Sequence, residues 1–231
     1  MCYQRAFLTK ECEMVNKDFI LRNIELMTRR LTVLLGLRRY NKFEEALIYV
    51  DDLYLQSLGL TASFVHSVSE EMLLQLISPV GVLNVEKCLW LATLLKAEGD
   101  IYDDMDSATE SYYHYLKSLY LFLVAFSHER MLRDTQLGTE VVTLLDKLEE
   151  YELPLPVSKH LFTYYELNGQ YAQAEDTLFE LLDRREIEPQ ERIQLQEQGK
   201  NFYTRLLHKT DADLLAGNMT RDEVEEGITQ L

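Results

Sequence analysis

"YYELNGQYAQAEDTLFELL" (Tyr164 to Leu182) sets a single Gly between two runs of helical period. Tyr171 follows Gly169 by two residues and Ala174 follows it by five. Two antiparallel helices joined by so short a turn must bring their backbones close together. A side chain larger than Ala on the inner face would hold them apart. Gly169 supplies the positive φ that the turn needs. The stretch therefore reads as a helix hairpin, with the aromatic filling the wedge against its neighbour.

Two other stretches carry a similar pattern. Phe43 lies three residues before Ala46 in "YNKFEEAL", and Met105 lies three before Ala108 in "DDMDSATESYYHYLKSL". The three alanines are 108 − 46 = 62 and 174 − 108 = 66 residues apart. Each gap is about two units of a period near 34, the length of a tetratricopeptide helix pair.

The rest of the chain is helical in period as well. Ile20, Ile24, Met27, Leu31 and Leu34 form one stripe, and Val141, Leu144, Leu145 and Leu148 form another. Ser69 before Glu70 and Glu71 reads as an N-cap with an acidic first turn. Ser107 with Glu110, and Thr220 with Glu223, have capping-box spacing. "SLYLFLVAF" (Ser118 to Phe126) reads as a helix buried on several sides, far short of the roughly 20 residues of a membrane span. Pro154 and Pro156 punctuate the chain before the hairpin, and the polar pattern after Pro189 suits a terminal cap.

The hairpin at 155–185 resembles a tetratricopeptide repeat at Gly169, Tyr171 and Ala174, with Phe162 where the first helix normally has a small residue. Leu34 and Lys96 hold that place in the other two units, so the repeats are degenerate. "KDFILRNIELMTRRLTVLLGLRRYNKFEEAL", "EGDIYDD" and "LPVSKHLFTYYELNGQYAQAEDTLFELL" are similar to an uncharacterised bacterial family of helical-repeat proteins, from about Met14 onward. The resemblance implies an all-α fold of antiparallel hairpins stacked as a right-handed α-α solenoid, and carries no known activity. It also suggests Met14 as a start. The expected organisation is an N-terminal extension at 1–13 without order, a helical-repeat domain at 14–210 and a tail with a short helix at 211–231.

Composition narrows the function. Lys and Arg number 23 against 39 Asp and Glu, a formal net charge of −16. Such a surface repels nucleic-acid backbones and anionic lipid headgroups, and favours a partner carrying Lys or Arg. Cys2, Cys12 and Cys88 show no CxxC spacing, which fits a cytoplasmic chain without disulfides or a zinc framework. The acidic stretch "DIYDDMD" lacks the spacing of a calcium loop and reads as a solvated turn.

His66, His114, His128, His160 and His208 are scattered over different segments, with no metalloprotease spacing. No nucleophile elbow or phosphate-binding Gly-rich loop is present. The expectation is a non-enzymatic protein with no cofactor and no metal. A closed pocket holding His114 beside an acidic residue and a bound ion would reopen the enzyme reading.

What remains is a surface. In tetratricopeptide-like stacks the first helix of each pair lines the concave face. Carried onto this chain, those positions are Lys159, Thr163 and Glu166 in the best-matched unit, Trp90, Thr93 and Asp100 in the middle one, and Arg38 in the first. The expected function is a scaffold that holds a protein or peptide on that face. The alternatives are a sensor of a signalling peptide or small ligand, and self-assembly as a homodimer.

Overall fold

The structure, a computed structural model, describes residues 22–230 apart from 23, 130, 133 and 134. Every regular element among the described residues is helical. In order they are α1 (24–39), α2 (Phe43–Leu58), α3 (Ala62–Ser67), α4 (Glu70–Leu76), a 3-10 turn (Pro79–Gly81), α5 (Val85–Asp104), α6 (Ala108–His128) and α7 (Gly138–Lys147). α8 (Leu155–Leu167), α9 (Tyr171–Asp183), α10 (Pro189–Leu207), α11 (Asp211–Ala216) and α12 (Arg221–Gln230) follow. The chain divides into two compact units, the first ending at Tyr151 and the second starting at Glu152. The expected extension at 1–13 lies outside the described residues.

One turn recurs through both units. Asn41, Asp106, Gly169 and Asn218 all have φ between 56° and 72°. The next residue in each case donates its N–H to the carbonyl five residues back: Lys42 to Leu37, Ser107 to Tyr102, Gln170 to Tyr165 and Met219 to Leu214. This is the Schellman closure, which satisfies the last carbonyls of one helix while reversing the chain into the next.

Five residues after the first three left-handed positions stand Ala46, Ser111 and Ala174, all buried. In the middle hairpin, then, Ser111 makes the close approach, and Ala108 is exposed. The sequence expectation was three residues out of register there. Ser107 does not close a capping box with Glu110, because its side chain makes no cap bond. The box expected at Thr220 and Glu223 does form, with Glu223 accepting from the Thr220 N–H at 2.6 Å.

In the first unit, α5 packs between α2 and α6, while α4 and α7 cover α6. Both central helices are therefore buried on several sides. All nine residues of Ser118–Phe126 are buried, as are Cys88–Leu95. Gly99 lets α6 approach closely, since a Cβ there would meet the Tyr115 ring at 2.6 Å.

In the second unit, α8 and α9 form the quoted hairpin, and α10 packs on α9 and α12. Phe162 sits edge-on to Phe202 with ring centroids 5.5 Å apart, so a large side chain fills the space that a small one would leave empty. Residues 211–230 are part of this unit's core rather than a tail. Leu214, Met219 and Val224 are buried in it, Gly217 lies flat against the Tyr171 ring, and Ala172 donates its N–H to the Gly217 carbonyl.

Candidate functional site

Two constellations on the first unit share helix α5. The first begins with residues spaced i, i+3, i+4 and i+7 on two helices: Leu31, Leu34, Leu35 and Arg38 on α1, and Thr93, Lys96, Ala97 and Asp100 on α5. That spacing puts each set on one helix face. The two faces, with Phe122 of α6 and Glu140 of α7, enclose a cavity of about 160 Å³. An adjoining hollow of about 400 Å³ shares Leu35 and Arg38 with it and reaches Phe43 and Asp104.

The charges at the mouth are paired in a chain. Arg38 holds Asp104 at 2.6 Å through Nε and Asp100 at 3.1 Å through Nη1. Lys96 bridges Asp100 at 3.1 Å and Glu140 at 3.2 Å, and the Tyr115 hydroxyl donates to Asp100 at 3.0 Å. Burial alone would lower the Lys96 pKa, but Asp100 and Glu140 outweigh it and hold the ammonium charged above its usual range. The same balance, with Asp104 and Asp100 as partners, raises Arg38. The turn in "DIYDDMD" is exposed at residues 103–106, as expected, but carboxylates of the stretch are paired. Asp100 and Asp104 are held by Arg38, and Asp103 pairs with Lys147.

The cavity floor differs. Thr93 is 6% exposed, and among the described residues its hydroxyl has no hydrogen-bond partner. A threonine inside a helix commonly bonds the carbonyl four residues back, as Thr163 does to Lys159. Thr93 instead stands as an unused donor and acceptor in the cavity wall.

The second constellation gathers His66 from the last turn of α3, Glu98 from α5 and His114 from the second turn of α6. His66 Nε2 lies 3.0 Å from Glu98 Oε2 and 3.3 Å from His114 Nε2, and His114 Nε2 lies 3.6 Å from Glu98 Oε2. Glu98 is 2% exposed, and the buried Tyr54 hydroxyl donates to its Oε2 at 2.7 Å. His114 Nδ1 sits 2.7 Å from the Glu110 carbonyl, which places the ring proton on Nδ1. The Tyr102 ring stacks beside it at 5.0 Å. Lys117 Nζ donates to the carbonyls of Val65, His66 and Val68 and so ties down the end of α3. Burial pushes the His114 pKa down, against the pull of Glu98. Two histidines that look scattered in sequence therefore face one another across a carboxylate.

Of the residues carried over from the repeat resemblance, Arg38, Thr93 and Asp100 come together at the cavity. Trp90 is buried, with the Arg30 guanidinium 5.5 Å over its ring, and belongs to the packing. Lys159, Thr163 and Glu166 lie on α8 of the second unit. There Lys159 pairs with Glu191, and Glu166 takes Arg205 in a two-point pair at 2.6 and 2.8 Å.

Residues 14–231 match the model of a family of unknown function, DUF6483. The chain belongs to that family. The match begins at the Met14 position from which the sequence resemblance runs, and it lends no support to a tetratricopeptide relationship. No curated protein and no solved structure matches the chain. Among the described residues no helix is long and apolar enough to cross a membrane.

Proposed function

We propose that the chain is a non-enzymatic scaffold whose first unit holds a segment of protein or peptide in the α1–α5 cavity. Its hairpins, in this reading, stack as degenerate tetratricopeptide-like units of an α-α solenoid. The recurrent Schellman turns and the small buried residues after them support that view. The observation that carries the binding role is the unpartnered hydroxyl of Thr93. A buried polar group without a partner costs about 1–3 kcal/mol, a penalty that a bound ligand's own donor or acceptor would remove.

The size of the cavity fits the occupant. About 160 Å³ is below the range of whole small-ligand pockets and suits an inserted side chain, with flanking residues in the adjoining hollow. The leucines of α1 supply an apolar wall. A partner carrying Lys or Arg associates faster at low salt under the field of a −16 chain.

The test is selection of a displayed random-peptide library against the full chain, with affinities of the enriched peptides read by fluorescence anisotropy. Thr93→Val keeps the shape and removes the hydroxyl. It is expected to stabilise the free protein by about 1 kcal/mol and to weaken the selected peptides at least tenfold, with Lys159→Ala unchanged. Peptides that bind Thr93→Val as well as the parent, or no enrichment at all, would overturn the reading.

A further inference from the structure

We infer that His66, Glu98 and His114 form a binding site for a divalent cation of the zinc class. The inference is independent of the peptide reading. It rests on the convergence of three donor atoms, all within 4.8 Å of one another. A tetrahedral ion with bonds of about 2.05 Å has ligand atoms about 3.3 Å apart along each edge. The three separations here, 3.0, 3.3 and 3.6 Å, bracket that edge. The ion needs no rearrangement of the helices to be seated.

The lone pairs are aimed as the geometry requires. Donation of the His114 Nδ1 proton to the Glu110 carbonyl leaves its Nε2 unprotonated and facing the cluster. A backbone carbonyl behind a ligating imidazole is the common device for fixing the tautomer in metal sites. Tyr54 donates to Glu98 Oε2 and orients the carboxylate, and an ion would take the place of the His66 contact on that same oxygen. His66 is held in place through the Lys117 clamp on α3.

Charge points the same way. Among the described residues, the ion-pair partners of the buried Glu98 carboxylate are these two imidazoles. At 2% exposure that carboxylate is shielded from solvent and faces imidazoles rather than an ammonium or guanidinium. The Lys117 ammonium is committed to three backbone carbonyls.

Two imidazoles and one carboxylate form a donor set that selects zinc and its first-row neighbours over magnesium and calcium, which prefer all-oxygen shells. Beside the two imidazoles lies a cavity of about 60 Å³ lined by His66, Leu95, Tyr113, His114 and Lys117. That is room for a water ligand. His66, at 34% side-chain exposure against 11% for His114, is the side from which the ion enters.

The experiment uses the full chain, freed of affinity tag, stripped with a chelator and titrated with zinc chloride in a calorimeter. Cobalt(II) absorption gives a second readout of ligand geometry. The expected result is one zinc per chain at micromolar affinity or tighter, and a cobalt spectrum of tetrahedral intensity. His114→Ala and Glu98→Gln should weaken binding more than 100-fold, and Tyr54→Phe about 10-fold. His128→Ala should leave it unchanged.

Exposed His66→Ala guards against loss of fold in the buried variants. With its circular dichroism intact, it must also lose the cobalt signal. Zinc binding that survives in His66→Ala/His114→Ala, no binding at 100 µM zinc, or preference for magnesium would each overturn the assignment.

Discussion

Gly99→Ala tests the way α5 and α6 bring both constellations together. Built on the native backbone, the new Cβ would stand 2.6 Å from both Cδ1 and Cε1 of Tyr115, and 3.3 Å from Cγ. Ordinary contact begins near 3.4 Å, so the ring must retreat by 3.4 − 2.6, or about 0.8 Å. It is not free to do so, because its hydroxyl is bonded to Asp100 and its body is buried.

Overpacking of this kind costs about 1–3 kcal/mol. Replacing Gly by Ala inside a helix returns about 1 kcal/mol. With the ring pinned, the net is a loss of up to about 2 kcal/mol, or as much as a few degrees in melting temperature for a unit of this size. The assay is urea unfolding followed by fluorescence of Trp90. It is the single tryptophan and is buried in the first unit, so the signal reports that unit. In a Tyr115→Ala background the clash is gone and only the helix term remains, so Gly99→Ala should then stabilise. Equal destabilisation in both backgrounds would refute the close-approach argument.

Two further outcomes follow from buried groups. The Cys88 thiol is buried, donates to the Leu121 carbonyl at 3.3 Å, and has its pKa pushed up to about 12 by burial. In a Cys2→Ser/Cys12→Ser chain, a disulfide dye at pH 8 should therefore label almost nothing until guanidinium exposes one thiol per chain; rapid native labelling would contradict that burial. Burial also raises the pKa of Glu175, against the hydrogen bond from Tyr203. A carboxyl raised in the folded state contributes stability that is complete below its unfolded value near 4.5 and is lost as pH rises through the folded value. Glu175→Gln keeps an acceptor for Tyr203, so it should flatten the pH dependence of second-unit melting in that window; circular dichroism with an unchanged slope would count against it.

The sequence revealed some features and hid others for identifiable reasons. The hairpin around Gly169 was legible because glycine announces a left-handed turn. Asp106 adopts the same conformation without announcing it, and the middle hairpin was read three residues out of register. That Thr93 and Asp100 share a face of α5 was legible because helical spacing carries that information locally. The cluster of His66, Glu98 and His114 was not, since its members stand on three helices and meet only through the packing of α3, α5 and α6. The ion pairs of the acidic stretch before Asp106 were hidden for the same reason, its cations coming from α1, α5 and α7. The boundary at 151 and 152 was marked by Pro154 and Pro156, which signal a break without saying that two cores lie on either side.

The recurrent turn also bears on how quickly the chain finds its fold. Each closure spans six residues, from Leu37 to Lys42 or from Tyr165 to Gln170, so it forms without ordering a long loop. The helices it joins, such as α5 with α6 and α8 with α9, are partners in the native packing. Much of each core is thus reached through neighbours in sequence, the low-contact-order regime in which helical domains fold in microseconds to milliseconds. Against these local steps, the slower search falls to the pairing of α1 with α5, where Arg38 must reach Asp100, 62 positions further along the chain. The cavity, which needs that pairing, is expected to close after the hairpins have formed.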